Sequence, residues 1–306
     1  MNIRKNCIVC ENQFVTEKFP DTQELVNWKF DGVQYIYVEC TTCKLLHADP
    51  IPTPDTLKKF YNTSYNYKSF AQGAFWKKIQ SYTRLFELKK YLPKQGKVLD
   101  FGCGHGYFVK RAGKNGFKGF GFDIGSESII SSENSSIIYS YDFDTFKETG
   151  FDMITAWHVV EHLAEPLKDL AKLYDKLNTG GVLAIAVPNN NSLGIEYCGE
   201  KWSWVQEPMA HIYHYNGETL SKLLTKAGFR VKEVITRDTL SSNLFDVMIS
   251  KIFFSNKPRG SVGFSQSNSK SDFVFHAINV LRAFFIVFSI FTPRNKGAEL
   301  LIIAKK

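Results

Sequence analysis

Short apolar segments alternate with amphipathic segments through much of this 306-residue chain. The apolar segments have the length of buried strands, and the segments between them place apolar residues at helical spacing. Strands separated by helices of this length predict an α/β fold with a doubly wound, mostly parallel sheet. The strand-like segments are KVLDFG (97–102), FKGFGFD (117–123), SIIYSYDF (136–143), FDMITAW (151–157), GVLAIAVPN (181–189), FRVKEVITR (229–237) and ELLIIAKK (299–306).

The pattern divides the chain into four regions. Residues 1–50 hold two CxxC pairs and strand-like apolar stretches, and we expect a small separate module there. Residues 51–95 form a proline-rich connector and a helical cap, with a helical pattern from about Ala74 to Tyr91. Residues 96–250 carry the alternating strands and helices of the main domain, and residues 251–306 hold a basic and apolar insertion followed by the last strand.

The net charge of +8 could suggest a nucleic-acid-binding protein, but its distribution argues against that class. Almost all of the excess lies in residues 251–306, which contain nine Lys or Arg residues and two acidic ones. The start of the chain, MNIRKNC, lacks the apolar core and cleavage site of a secretory signal. We therefore expect a cytoplasmic protein with reduced cysteines, for which nucleic acid is an unfavoured partner.

Four of the six cysteines form two CxxC pairs, Cys7 with Cys10 and Cys40 with Cys43. Two such pairs can supply four thiolates to one structural zinc ion, and metal binding can fold a module that is too small for its own core. Neither pair has the glycine that usually follows the second cysteine, since Glu11 and Lys44 stand there. A nucleic-acid-binding zinc ribbon is the alternative to a module that shapes a substrate site.

The glycine-rich segment VLDFGCGHGYF (98–108) sits at a strand-to-helix turn. Its glycines follow the pattern GxGxG, and Tyr107 occupies the position where a dinucleotide-binding fingerprint requires glycine or alanine. The segment resembles motif I of the class I S-adenosylmethionine-dependent methyltransferases, in which an acidic residue precedes the glycines. In that family the glycines pack under the methionine part of the cofactor and the carboxylate, here Asp100, lies near its amino group.

This resemblance extends to the following strands and implies further cofactor contacts. Asp123 ends the second predicted strand, where the family's acidic residue accepts hydrogen bonds from both ribose hydroxyls. Asp142 and Phe143 follow the third strand and would meet the adenine, although Asp144 could take the role of Asp142. The cofactor-binding residues that the resemblance implies are Asp100, Phe101, Gly102, Cys103, Gly104, Gly106, Asp123, Ile124, Asp142, Phe143, Trp157 and His158.

The segments WHVVEHL (157–163) and WSWVQEPMAHIYHYN (202–216) carry the candidate catalytic and substrate residues. They are similar to segments of small-molecule and sugar methyltransferases, and no NPPY-type motif follows the fourth strand. An oxygen nucleophile benefits from a base, and histidine is suited to that task near neutral pH. The candidate bases are His162, His211 and His214, and the candidate walls of the substrate pocket are Trp202, Trp204 and Tyr213.

The apolar run FVFHAINVLRAFFIVFSIF (273–291) is long enough to cross a bilayer. Arg282 near its centre would cost about 2.5 to 3.5 kcal/mol there, so peripheral contact with the inner face of a membrane fits better. The alternative is a helix packed on the sheet or on a second subunit. In the second case the protein would be a homodimer.

Together these features predict a methyltransferase that uses S-adenosylmethionine and structural zinc. The expected acceptor is oxygen or carbon of a small molecule, in particular a sugar or a nucleotide- or lipid-linked sugar of a bacterial surface polysaccharide. One alternative is an RNA or protein methyltransferase that recognises its substrate through the zinc module. The other is a cofactor-binding scaffold without turnover.

Overall fold

The computed structural model describes residues 6–12, 15–17, 28–63, 74–124, 136–199, 202, 204–205, 208–238 and 292–306. The apolar run at 273–291 lies outside these residues, so its predicted contact with a membrane or a second subunit stays a prediction. Within the described part of the chain, no helix is both long and apolar enough to cross a membrane.

A seven-stranded sheet forms the centre of the molecule, with the strand order β11-β12-β9-β8-β5-β6-β7. The strands from β5 to β9 run parallel, and β12 runs antiparallel to both β9 and β11. This arrangement confirms the predicted doubly wound, mostly parallel sheet. Its strands are β5 (Lys97–Phe101), β6 (Lys118–Asp123), β7 (Ile137–Tyr139), β8 (Phe151–Trp157), β9 (Leu177–Pro188), β11 (Arg230–Arg237) and β12 (Glu299–Lys305).

Helices cover both faces of this sheet, as the burial of consecutive residues in its central strands requires. In β12, Leu300 and Ile302 pack in the same core as buried residues of α4 and α6. Leu301 and Ile303 pack in a second core with buried residues of α2 and α3. The helices are α1 (Pro54–Thr63), α2 (Ala74–Leu88), α3 (Tyr107–Lys114), α4 (Pro166–Lys176), α5 (Leu193–Cys198) and α6 (Gly217–Lys226).

A smaller antiparallel sheet contains most of the N-terminal strands, with the order β1-β3-β4-β10, and β2 pairs with β3. Its last strand, β10, comes from the main domain and follows β9 and α5 along the chain. The two residues of β10, Tyr213 and His214, pair with His47 and Leu46. Buried residues around Cys7 and Cys40 also belong to the same core as those of the large sheet. The strands are β1 (Val15–Glu17), β2 (Trp28–Phe30), β3 (Val33–Cys40), β4 (Leu46–Asp49) and β10 (Tyr213–His214).

Candidate functional site

A cavity of about 690 Å³ opens at the carboxyl ends of β5, β6 and β8. In a sheet of this kind the helices leave a crevice where the strand order reverses, and ligands bind there. Residues of α1 and α2 form the opposite wall, among them Tyr61, Lys77 and Arg84. The cavity is therefore enclosed between the sheet and the two helices that precede it.

The glycine loop after β5 forms the floor of this cavity. Gly102 and Gly104 have φ angles of 74° and 52°, a left-handed region that favours glycine. A Cβ atom at Gly102 would lie 2.2 Å from Cγ2 of Val159, so a side chain cannot be accommodated there. At Gly104 a Cβ atom would have no neighbour within 4 Å, and the backbone faces open space in the cavity. The loop can thus contact a ligand through its backbone.

Two carboxyl groups flank the glycine loop. Asp100 is buried and accepts a hydrogen bond of 2.7 Å from the hydroxyl of Thr155. Burial raises the pKa of Asp100 to about 7, although this hydrogen bond and the charge of Arg84 act in the opposite direction. Asp123, at the end of β6, accepts a hydrogen bond of 2.7 Å from the amide of Gly104. Both groups line the cavity and can bind polar or cationic parts of a ligand.

The structure places most of the predicted cofactor-binding residues together, but not all. Those that line the cavity are Asp100, Phe101, Gly102, Cys103, Gly104, Asp123, Ile124, Trp157 and His158. Gly106 instead begins α3 with its Cα facing the side chain of Ile137, and Phe143 packs against the rings of Phe101 and Phe122. Asp142 is exposed and accepts a hydrogen bond of 2.9 Å from the amide of Asp144. These three residues do not line the cavity.

Two of the three candidate bases, His162 and His211, line the cavity. Nδ1 of His162 bonds to the carbonyl oxygen of Ala210 at 2.5 Å, and Nδ1 of His211 bonds to that of Trp204 at 2.7 Å. Because a carbonyl can only accept, each Nδ1 carries the hydrogen and each Nε2 keeps a lone pair. Burial lowers the pKa of His162 and brings the pKa of His211 to about 4, so both rings are neutral near pH 7.

His214 lies away from the cavity. It belongs to β10, is buried, and its Nε2 lies 3.1 Å from the hydroxyl oxygen of Tyr37. The spacing of His211 and His214 in the sequence would allow both to lie on one face of a helix. In the structure, His211 precedes β10 and His214 lies within it. Of the three candidate bases, His162 and His211 therefore line the cavity and His214 does not.

Of the three aromatic residues predicted to wall the substrate pocket, one lines the cavity and two do not. The ring of Trp204 lines the cavity and stacks on His158, with a centroid distance of 5.0 Å. Trp202 is fully buried against Gly194, and Tyr213 is buried and stacks on Tyr215. Neither Trp202 nor Tyr213 is among the residues that line the cavity.

A buried ionic network lies behind this wall. His158 Nε2 is 2.8 Å from Oε2 of Glu299, and its Nδ1 is 3.4 Å from Oε1 of Glu161. Burial acts to lower the pKa of His158, but its ion pair with Glu161 and its hydrogen bond with Glu299 raise the pKa to about 9. Burial would raise the pKa of Glu299, yet His158 and the nearby arginines bring it to about 2. His158 is therefore a cation at neutral pH.

Sequence reasoning missed the contributions of distant elements to this site. Glu299 belongs to the last strand, and Arg84 and Lys77 belong to α2, where they line the cavity. Arg84 lies over the ring of Trp157, with 4.3 Å between its Cζ and the ring centroid. Polar residues at helical spacing in α2 were the available signal, but a solvent-exposed helix face has the same pattern.

The four N-terminal cysteines lie together at the edge of the small sheet. The Sγ atoms of Cys7 and Cys43 are 3.5 Å apart, as are those of Cys10 and Cys40. All four Sγ atoms lie within 4.8 Å of one another, and none of the four forms a disulfide. A zinc ion about 2.3 Å from each sulfur holds its ligands roughly 3.8 Å apart, so this group fits a tetrahedral zinc site.

Comparison with known proteins gives one match that covers more than half of the chain, to the family described as methyltransferase domain, over residues 70–234. A ubiquinone biosynthesis O-methyltransferase of Cereibacter sphaeroides is 29% identical over 128 residues, which are 38% of this chain and 52% of that protein. The chain thus spans about half the length of this curated relative.

Two further similarities are more limited. A tRNA U34 carboxymethyltransferase of Campylobacter hominis is 32% identical over 113 residues, which are 33% of this chain and 40% of that protein. The crystal structure of an S-adenosylmethionine-dependent methyltransferase from Archaeoglobus fulgidus aligns with a TM-score of 0.47 and 24% identity, covering 75% of this chain and 94% of that one.

The family match and the observed topology agree. The matched residues include the glycine loop, the acidic ends of β5 and β6, and the five parallel strands around the cavity. The chain therefore belongs to the methyltransferase domain family and has the fold of the class I S-adenosylmethionine-dependent methyltransferases.

Proposed function

We propose that this protein transfers a methyl group from S-adenosylmethionine to an oxygen atom of a small-molecule acceptor. The observation that carries the proposal is the composition of the two cavity walls. One part of the lining offers bare glycine backbone and two carboxyl groups, and another part offers two imidazoles whose Nδ1 atoms are held by backbone carbonyls. Family membership supports the same reaction.

The first wall fits the cofactor. Asp100 lies beside the glycine loop, where it can hold the amino group of the methionine part. Asp123 can accept hydrogen bonds from the ribose hydroxyls, a task for which an ionised carboxylate is suited because it only accepts. When bound, S-adenosylmethionine supplies a methyl group on a sulfonium centre. The chain must then align the acceptor with that centre and keep water out.

The second wall fits an acceptor that must lose a proton. A hydroxyl oxygen that gains a methyl group releases its hydrogen, and a basic group in the cavity assists the reaction. His162 and His211 meet this need because their lone pairs are fixed by the hydrogen bonds of their other nitrogens. The wall formed by Glu161, His162 and His211 is called the imidazole wall below.

The comparisons support oxygen as the acceptor atom more than they support a sugar. The Cereibacter relative is named for O-methylation in ubiquinone biosynthesis, and the Campylobacter relative is named for a tRNA modification. A sugar hydroxyl, free or linked to a nucleotide or lipid, stays our prediction from sequence, as do carbon as the acceptor atom and a cytoplasmic location. Structural zinc at the four cysteines is also part of the proposal, supported by the sulfur positions.

The test is a transfer assay with S-adenosylmethionine labelled in its methyl group. Purified protein is incubated with pools of phenols, nucleotide sugars and lipid-linked sugars, and the labelled products are identified by mass spectrometry. We expect an O-methylated product that is lost in His211→Gln while cofactor binding is retained. Cofactor binding without transfer to any pool would favour the non-catalytic scaffold, and labelling of RNA or protein alone would favour the other alternative.

A further inference from the structure

The imidazole wall has an arrangement that acid–base chemistry alone does not require. One nitrogen of His162, one nitrogen of His211 and one carboxylate oxygen of Glu161 all lie within 4.8 Å of one another. His162 Nε2 and Glu161 Oε1 are 3.9 Å apart, which is too far for a hydrogen bond. Two imidazoles and one carboxylate thus converge at the cavity wall without a hydrogen bond between His162 and Glu161.

Glu161 is the least expected member of this group. Its side chain is 1% exposed. Nδ1 of His158 lies 3.4 Å from its Oε1, but neither carboxylate oxygen accepts a well-aligned hydrogen bond in the described part of the chain. A buried carboxylate without hydrogen bonds is costly, and such groups are found paired or bound to a metal ion. Glu161 does pair with the cation His158, but at 3.4 Å, and the other nitrogen of that ring lies closer to Glu299, at 2.8 Å.

The two histidines are oriented as metal ligands usually are. A ligating histidine normally donates its other ring hydrogen to a carboxylate or a backbone carbonyl, which fixes the ring and its lone pair. His162 and His211 both do this, through the carbonyls of Ala210 and Trp204. These carbonyls come from the segment between α5 and β10, whereas His162 follows β8.

We propose that Glu161, His162 and His211 form a binding site for a divalent transition-metal ion on the wall of the cavity. Two imidazoles and one carboxylate suit ions such as Fe²⁺, Co²⁺ or Zn²⁺, and leave other coordination positions open. Ligand atoms about 2.1 Å from one ion lie roughly 3.0 to 3.4 Å apart. Binding therefore draws the three side chains together by about 1 Å, and His162 has room because it borders the cavity.

The open positions of such an ion face the cavity, since His162 and His211 line it and Glu161 lies behind them. With both imidazole lone pairs bound to the ion, neither histidine would act as the base. Instead, an acceptor hydroxyl bound to the ion would have its pKa lowered, as a zinc-bound water does, and would release its proton to solvent. This last step rests on the proposed function, whereas the metal site itself rests on the three residues alone. The site is separate from the four cysteines, which offer only sulfur ligands.

The test is a spectroscopic titration with Co²⁺, without cofactor or acceptor, of protein loaded with one zinc ion per chain for the four cysteines and freed of further metal. We expect one equivalent to give visible ligand-field bands without the intense near-ultraviolet bands of thiolate coordination. His211→Ala and His162→Ala should each weaken binding at least tenfold, because loss of even a supporting contact costs roughly that much. His105→Gln, which alters another cavity histidine outside the group, should bind Co²⁺ like the unchanged protein.

Three results would overturn the proposal. These are the absence of visible bands, thiolate bands alone, and unchanged Co²⁺ affinity in both histidine variants. Circular dichroism and cofactor titration of each variant separate loss of the site from loss of the fold. Because Co²⁺ binding is measured without turnover, a failure of the metal site and a failure of the proposed reaction give different results.

Discussion

Asp123 and Asp142 both follow strands of the large sheet, yet only Asp123 lines the cavity. Asp123→Asn keeps the size of the side chain but removes the charge that favours hydrogen bonds from ribose hydroxyls. We expect it to weaken S-adenosylmethionine binding at least tenfold, or about 1.4 kcal/mol, by calorimetric titration. The matched control Asp142→Asn should leave the affinity unchanged, and equal losses in the two variants would refute this assignment.

Asp100 should make cofactor binding depend on pH. Its pKa is about 7 because it is buried, and the ammonium group of the cofactor favours the ionised form. As the pH falls below 7, Asp100 must lose a proton on binding, so the affinity should fall up to about tenfold per pH unit. Titrations at pH 8.0 and 5.5 measure this effect. An equal pH dependence in Asp100→Asn would show that another group is responsible.

Sequence reasoning was most successful for residues whose role depends on their neighbours along the chain. The glycine loop and the aspartates that end β5 and β6 were identified because a strand-to-helix turn confines them to the same place. It was less successful for Trp202, Tyr213 and His214, whose segment was identified correctly but whose side chains point into the core. Which side of an irregular segment faces a cavity depends on packing against distant strands.

At the level of elements, Glu299 joins four parts of the fold through its side chain. This carboxylate of β12 pairs with His158 after β8 and with Arg237 of β11, and Arg237 also pairs with Glu87 of α2. Removing one partner of a buried ion pair leaves an uncompensated charge, at a cost of about 3 to 5 kcal/mol. We therefore expect Glu299→Gln to lower the free energy of unfolding by that amount in chemical denaturation.

The same pair should contribute to stability over a defined pH range. The raised pKa of His158 stabilises the fold fully below about 6.5, and this contribution is lost as the pH rises through 9. The lowered pKa of Glu299 stabilises it above about 4.5, and this is lost toward pH 2. The effect of Glu299→Gln should thus be greatest between pH 4.5 and 6.5 and smaller at pH 9.5. An effect independent of pH would contradict the pairing, and Glu218→Gln, at an exposed pair with Lys222, is the control.

The mostly parallel sheet was within reach of sequence analysis, but the pairing between β4 and β10 was not. Alternating strand and helix patterns favour a parallel sheet, and the resemblance to class I methyltransferases implied the same fold. Two residues, Tyr213 and His214, are too short a segment to be recognised as a strand. The boundaries predicted for the four regions stay a prediction, although this pairing links the N-terminal module to the main domain.

In the whole molecule, the pairing of β4 with β10 connects the cysteine group to the imidazole wall. The hydroxyl of Tyr37 in β3 donates a hydrogen bond of 2.8 Å to the carbonyl of His211, and β3 ends at Cys40. If zinc holds the cysteines, its loss should loosen β4 and β10 together. We expect Cys43→Ser to accelerate amide hydrogen exchange at residues 46–49 and 213–214, with little change in β5.

Cys198→Ser provides the matched control, since Cys198 is a thiol outside the group of four. It should leave exchange at 213–214 unchanged. Equal protection of β10 in both variants would show that the cysteine group does not support the imidazole wall. Zinc content of the unchanged protein, measured in parallel, should be one ion per chain at these cysteines.

The central claim is that the cavity beside the glycine loop binds S-adenosylmethionine, and calorimetric titration of the zinc-replete protein tests it most directly. We predict one binding site per chain with micromolar affinity, and comparable or tighter binding of the demethylated product. Absence of binding by both compounds at pH 8, where Asp100 is ionised, would contradict the account.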